Sequence, residues 1–236
     1  MNKKYMTPKI IHQIWDGEPL SDFFLQLSET WKTHHPTWKY EFWDSDRIEA
    51  FVNNNYPHLA AIYFNFQYDM QRWDFIRYLI LYKMGGMYVD FDYECLESFD
   101  NCLTKDKFYF AIEPELHSRS FGKDVCLNGA LMITPPYHPF LECVIAYLET
   151  TPVKYTGNKF HDVLYSTGPL MLTNLYEKFE DKSNIHLFSQ EQVSPWSKND
   201  VESYINGTAN EKILEKKLEN AIAIHYYWGA WLYNNE

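Results

Sequence analysis

Asp90-Phe91-Asp92 closes the string DFIRYLILYKMGGMYVDFD, thirteen residues after Arg77 and sixteen after Asp74. Two carboxylates one residue apart at a strand end can offer oxygen ligands to a hard divalent cation, which in turn can bridge the phosphates of a nucleotide. The triplet alone discriminates little, because the chain holds a second one, Asp44-Ser45-Asp46. That second triplet reads most simply as the N-cap of a helix carrying Ile48 and Phe51. Asp74 and Arg77 lie three apart on a helical pattern, so they share a face. Such a pair is worth about 0.2–0.5 kcal/mol and, taken by itself, reads as structural. Gly85-Gly86 changes its meaning by folding the helix back beside the Asp90 strand. An arginine in that cleft can neutralise phosphate, and an aspartate can accept hydrogen bonds from sugar hydroxyls.

The elements that must hold these residues follow from hydrophobic periodicity and turn signals. Residues 9–15 (KIIHQIW) read as a buried first strand, ended by the turn Asp16-Gly17. Ser21 is suited to cap a helix over residues 22–33, and residues 39–43 alternate like a second strand. Helical periodicity returns at 46–54 and more strongly at 69–84, where Gly85-Gly86 acts as a C-cap pair and releases the chain into the strand ending at Asp90. Further strands are expected at 108–112 and 129–134, with a helix at 139–150 after the Pro135-Pro136 break. Residues 168–179 read as helical, and 185–188 and 221–225 as short strands. Strands separated by helices predict an α/β domain with a mainly parallel, doubly wound sheet that binds ligands beyond the carboxyl ends of its strands. Asp90 and Asp92 fall at such an end.

No Gly/Ser linker, repeat or low-complexity tract divides the 236 residues, so a single domain over 1–236 is expected. An aromatic share of 18% supplies rings that can stack on bases and sugars, although most must be core. The net charge of −11 argues against nucleic acid as a partner and means that an anionic sugar nucleotide would need a metal as intermediary. Cys95, Cys102, Cys126 and Cys143 show neither metal-type spacing nor a disulfide framework. The start MNKKYMTPKI lacks the apolar centre of a signal peptide, and the most apolar run, FIRYLILY, is cut by Arg77. The expectation is a cytoplasmic protein, with peripheral contact at the inner face of the plasma membrane as the membrane-associated variant.

Five blocks occur in order: PKIIHQIW from Pro8, RWDFIRYLILYKMGGMYVDFD from Arg72, LNGALMIT from Leu127, STGP from Ser166 and IHYYWGAW from Ile224. Together they resemble the glycosyltransferases with a DxD sugar-binding region. That group includes yeast-type initiating α-1,6-mannosyltransferases and bacterial capsular-polysaccharide enzymes, and is related to the clostridial glucosylating toxins. The resemblance implies a GT-A-type fold, a mostly parallel Rossmann-like sheet flanked by helices, and a Mn²⁺ or Mg²⁺ cofactor. It implies Asp92 as the direct metal ligand, with Asp90 reaching the metal, its water or the donor. It also implies Asp74 and Arg77 as the donor-sugar pair, and Gln13, Trp15 and Asn128 beside the nucleotide. His225 is implied at the metal or diphosphate, with Trp228 and Trp231 shaping a lid. This chain reads His225-Tyr226-Tyr227 where many relatives carry His-His. Read without the resemblance, Trp15 is equally a core residue and His225 a hydrogen-bonded structural histidine.

The function implied is retaining, metal-dependent transfer of a hexose from a nucleotide sugar. UDP-hexose is favoured, UDP-galactose ahead, and GDP-mannose also fits. The acceptor is expected to be a glycan or lipid-linked oligosaccharide in bacterial surface or capsular polysaccharide synthesis. Two rivals come from other classes. Phosphatases of the haloacid dehalogenase type also place Asp-x-Asp at a strand end, but carry Thr or Val where this chain has Glu94. A non-catalytic sugar-binding module leaves the arrangement of Asp74 to Asp92 without a purpose.

Overall fold

The computed structural model describes residues 6–17, 19–103 and 106–229. Its strands are β1 (Ile10–Ile14), β2 (Lys39–Trp43), β3 (Gly86–Val89), β4 (Tyr93–Cys95), β5 (Phe108–Ile112), β6 (Leu127–Thr134), β7 (Ile185–Leu187) and β8 (Ala223–His225). Its helices are α1 (Asp22–His34), α2 (Ser45–Asn55), α3 (Ala60–Phe64), α4 (Asp69–Met84), α5 (Glu115–Ser120), α6 (Pro139–Thr150), α7 (Lys159–Ser166), α8 (Pro169–Lys178), α9 (Gln190–Val193), α10 (Lys198–Ile205) and α11 (Glu211–Lys217). The main sheet has the order β2-β1-β3-β6-β5-β7, and β4 pairs with β8 in a separate ribbon. The β1–β2, β1–β3 and β5–β7 pairings are parallel, as the alternation of strands and helices predicts.

Strand β6 departs from that pattern by running antiparallel to both β3 and β5. The reversal carries the start of β6 to the carboxyl end of β3. Val89 faces Leu131, and the Asp90 amide donates to the Ala130 carbonyl at 2.9 Å. Asn128 and Gly129 thereby arrive beside the carboxylate that follows β3.

Period-two alternation sorts the strand residues into two cores. Tyr88, Phe108, Phe110 and Met132 join the core beneath α4, whereas Met87, Val89, Tyr109, Leu131 and Ile133 join the core beneath Trp31 of α1. Asp90 is two residues beyond Tyr88 and lies on the α4 side; the Tyr88 hydroxyl donates to Asp90 Oδ1 at 2.5 Å. Helix α4 is itself buried around most of its circumference, with Phe75, Ile76, Tyr78, Leu79, Ile80 and Leu81 all inaccessible to solvent. A helix so placed is a central pillar of the fold, and its few polar side chains must find partners inside it.

The turn from α4 into β3 needs both of its glycines. Gly85 and Gly86 have φ of +65° and +98°. A Cβ at Gly85 would lie 2.7 Å from the Pro136 nitrogen, and one at Gly86 2.6 Å from the Ile10 carbonyl oxygen. His12 ties β1 to this turn. The Trp43 indole can only donate, and it reaches His12 Nδ1 at 3.1 Å, so the imidazole proton sits on Nε2 and is donated to the Gly85 carbonyl at 3.0 Å.

This arrangement holds His12 neutral, and burial pushes its pKa down to about 4, only partly offset by the Gly85 bond. The unfolded chain takes up a proton near pH 6.5 that the folded chain refuses, so this contribution is present above that pH and is lost as pH falls towards 4. Between pH 7 and pH 5 the loss through His12 is about 2 kcal/mol. His12→Gln keeps a donor facing Gly85 and cannot titrate. Urea unfolding at the two pH values should show wild type losing about 2 kcal/mol more than the variant, and equal losses would refute the assignment.

Candidate active site

Asp74, Arg77, Asp90 and Asp92 meet where β3 ends. Arg77 Nη2 lies 3.3 Å from Asp74 Oδ1, and Arg77 Nη1 lies 3.5 Å from Asp90 Oδ1. The guanidinium also donates to the Gly129 carbonyl at 3.0 Å and to the Trp73 carbonyl at 3.2 Å. Its plane sits over the Tyr88 ring, 4.7 Å from the centroid. Asp74 Oδ2 accepts from the Thr167 hydroxyl at 2.8 Å. The Asp74–Arg77 pair has side chains only 3% exposed, so it is far from a solvated helix-surface pair.

The chain turns at Asp90, with the Tyr93 amide donating to the Asp90 carbonyl at 3.3 Å, so the strand ends at Val89 and Asp92 lies within the turn. The two carboxylates consequently face different partners. Asp92 Oδ2 accepts from the Trp228 amide at 2.9 Å, and Asp92 Oδ1 is 3.3 Å from His225 Nε2. His225 is delivered by the β4–β8 ribbon, in which it opposes Tyr93 and stacks on that ring at 4.5 Å. The Ala130 amide holds Asn128 Oδ1 at 2.7 Å, which turns Asn128 Nδ2 towards His225 Nδ1 at 3.2 Å. A donor at Nδ1 leaves the imidazole proton on Nε2, directed at Asp92. Ligation of a cation through Nε2 would require that proton to leave.

The charges are unbalanced. Burial raises the pKa of Asp74 to about 6 despite Arg77 and Thr167. Burial also raises Asp90, with Arg77 opposing and Asp92 reinforcing the shift. Asp92 is pulled the other way, because the attraction and hydrogen bond of His225 and the Trp228 amide outweigh its burial. His225 is correspondingly raised, burial being overcome by Asp92. Three carboxylates thus share one arginine and one histidine, and a hard cation fits that donor set. Among the described residues no three His, Cys, Asp or Glu side chains form a ready-made cage. The ion that fits is one that keeps water and phosphate oxygens in its coordination shell, as Mg²⁺ does. The Asp90 side chain, 26% exposed and bonded through Oδ1, is the more open carboxylate.

The other expected residues fall into two groups. Trp15 packs edge-on against Phe24 and Phe91, at 5.4 and 5.8 Å between centroids. Trp228 is 47% exposed and rests on Phe23 and Phe24. The first strand and the C-terminal block therefore share one aromatic cluster at the rim. Gln13 is fully buried: its Oε1 accepts from Ser28 and Tyr40, and its Nε2 donates to the Asp90 carbonyl at 3.5 Å. Trp231 lies outside the described residues. Tyr88, Thr167, Tyr93, Phe23, Phe24 and Phe91 were not anticipated. Tyr88 could have been, because it precedes Asp90 by two on the same strand face. Glu94, which distinguishes the chain from the phosphatases, accepts from the Tyr226 hydroxyl at 2.6 Å.

Removing one member of a buried charge cluster strands the others. Arg77→Met should destabilise the fold by about 3–5 kcal/mol in chemical unfolding, against about 0.5 kcal/mol for a surface pair, and a loss below 1 kcal/mol would rule out the bridging role.

Comparison with known proteins adds an independent line. Residues 21–109 match the family model described as a glycosyltransferase sugar-binding region containing the DXD motif. Inositol phosphoceramide mannosyltransferase 1 of Schizosaccharomyces pombe is 30% identical over 175 residues, 73% of this chain and 52% of that protein. An uncharacterized glycosyltransferase of Acanthamoeba polyphaga mimivirus is 28% identical over 196 residues, covering 80% and 74%. The chain spans about half the length of the fungal mannosyltransferases it matches. In fold it resembles the ligand-free glycosyltransferase domain from the YGT toxin, with a TM-score of 0.56 at 8% identity over 92% of this chain and 89% of that one. The matched region spans Asp74 to Asp92, so this part of the chain is similar to the glycosyltransferase sugar-binding region containing the DXD motif.

Proposed function

We propose that this chain transfers a hexose from a nucleoside diphosphate sugar, with the aid of a divalent cation and with retention of anomeric configuration, to a hydroxyl of a glycan or glycolipid. The observation that carries this reading is the Arg77 bridge, which joins a helix carboxylate able to hold sugar hydroxyls to the carboxylate pair able to hold a metal. Asp92 and Asp90 would hold Mn²⁺ or Mg²⁺, which supplies charge neutralisation for the departing diphosphate. Asp74 would orient the hexose through its hydroxyls, and Arg77 adds a fixed positive charge at the same end. Trp15, at the aromatic rim, would stack on the base. Retention follows a front-face route in which the leaving phosphate oxygen takes the acceptor proton, for which no protein carboxylate nucleophile is required.

The similarity to proteins named mannosyltransferases brings GDP-mannose level with the UDP-hexoses among the candidate donors. It also shifts the acceptor. Relatives named for inositol phosphoceramide support a hydroxylated lipid headgroup as strongly as the lipid-linked oligosaccharide of surface or capsular polysaccharide synthesis. Both place the work at a membrane surface. The contact proposed is peripheral; among the described residues no helix is long and apolar enough to cross a membrane.

Incubation with Mn²⁺ and each of UDP-galactose, UDP-glucose, UDP-N-acetylglucosamine and GDP-mannose should release nucleoside diphosphate from one of them. Asp92→Asn should lower that rate at least tenfold while the variant still unfolds cooperatively, and retention of more than about a tenth of the rate would remove Asp92 from the metal role. Proton NMR of the product should show an α-linkage from an α-linked donor; a β-linkage would end the retaining proposal.

A further inference from the structure

Gln71, Asp74 and Tyr78 lie at positions i, i+3 and i+7 of α4 and so form one stripe along it. Each is hydrogen-bonded to the same short turn between α7 and α8. Gln71 Nε2 donates to Ser166 Oγ at 2.7 Å, Thr167 Oγ1 donates to Asp74 Oδ2 at 2.8 Å, and the Tyr78 hydroxyl donates to the Thr167 carbonyl at 2.7 Å. Thr167 is fully buried. The turn is closely packed: a Cβ at Gly168 would lie 3.1 Å from the Val163 carbonyl oxygen, 3.2 Å from Leu164 Cα and 3.5 Å from Asp74 Oδ2.

We infer that Thr167 is a positioning residue for the donor sugar, setting the orientation of the Asp74 carboxylate through its hydroxyl. The inference rests on the reading of Asp74 as the acceptor of sugar hydroxyls. Arg77 pins one oxygen of Asp74 and Thr167 the other, so the plane of the carboxylate is fixed from two sides. A carboxylate held by one contact can rotate about its terminal bond; one held by two keeps its remaining lone pairs aimed at a fixed point. Hydroxyl recognition by such a group discriminates well, because a misplaced hydroxyl finds no lone pair aimed at it. Thr167 touches neither the metal end nor the aromatic rim, so its effect should be confined to the sugar.

The test compares Thr167→Val with Thr167→Ser in the full chain, using whichever of the four nucleotide sugars the wild type turns over with Mn²⁺. Thr167→Val keeps the shape and removes the donor. It should lower kcat/KM for the nucleotide sugar about 10- to 100-fold while inhibition by the matching free nucleoside diphosphate stays within about twofold. Thr167→Ser should return kcat/KM to within about threefold of wild type. Gln71→Met, which cuts the neighbouring tie without touching Asp74, should lower the unfolding midpoint and leave the sugar-to-nucleotide ratio unchanged. If Thr167→Val does not fold, Thr167→Ala takes its place with the same expected pattern.

Equal weakening of sugar and nucleotide, or unimpaired turnover by an active Thr167→Val, would overturn the positioning role alone. A wild type that turns over none of the four donors would overturn it together with the proposed function.

Discussion

A guanidinium buried to within 3% of complete exclusion from solvent cannot be left unpaired, and much of this molecule is arranged around satisfying it. Arg77 comes from α4, and its partners come from four places: Asp74 and the Trp73 carbonyl one turn earlier, Asp90 after β3, the Gly129 carbonyl on β6, and the face of Tyr88. Each partner depends on a separate structural decision. The glycine turn must return the chain alongside α4, β6 must run backwards, and alternation along β3 must present Tyr88 and Asp90 on the same side. The Asp90 and Asp74 carboxylates and the Tyr88 hydroxyl in turn favour the charged arginine and outweigh the burial that opposes it. Folding and site assembly are thus coupled, because Asp90, the Gly129 carbonyl and Tyr88 meet Arg77 only when the turn, β3 and β6 are in place.

The two ends of the site are built differently. The end at Asp74 consists of a central helix, the sheet and a crowded turn, and its polar atoms are held by side chains far apart in sequence. The end at Asp92 is closed by a short C-terminal segment in which Tyr227 adopts φ of +48°, an unfavourable conformation for a residue with a Cβ. The Tyr227 ring is held at 4.0 Å from that of His225 and 4.9 Å from that of His117, and the following amide, that of Trp228, donates to Asp92. Recognition of a sugar by shape suits the stiff end. Exchange of a carboxylate between protein donors and a cation suits the end where Asp92 is held by one backbone amide and one histidine.

Most of what builds the framework could be read from local sequence. The span of α4 and those of β2, β5 and α6 follow from periodicity, glycine and proline signals, because in each the local preference and the tertiary role agree. The reversal of β6 could not be read, since a strand buried on both faces has the same apolar pattern in either direction. Short helices such as α3, α5 and α9 escaped for the opposite reason, having too few residues to establish a period. At the site, Asp74, Arg77, Asp90 and Asp92 were legible as a spaced set tied to a turn. Thr167 was not, because nothing near position 167 indicates that its hydroxyl will meet a carboxylate ninety-three residues earlier.

The chain's two Asp-x-Asp triplets show why spacing alone is a poor guide to chemistry. Asp44 precedes α2 and accepts from the Arg47 amide at 2.9 Å, so its charge is met within three residues by the helix it starts. Asp90 and Asp92 have no such helix. Phe91 between them is 4% exposed and turns into the aromatic cluster with Trp15 and Phe42, which fixes the backbone while pointing both carboxylates away from it. Asp90 must then depend on Arg77, and Asp92 on His225 and Trp228, groups brought in by the rest of the fold. A carboxylate satisfied by its own helix has little left to offer a cation. One compensated largely by groups that the rest of the fold brings in, and crowded by a second carboxylate, retains the charge and the lone pairs that metal binding requires.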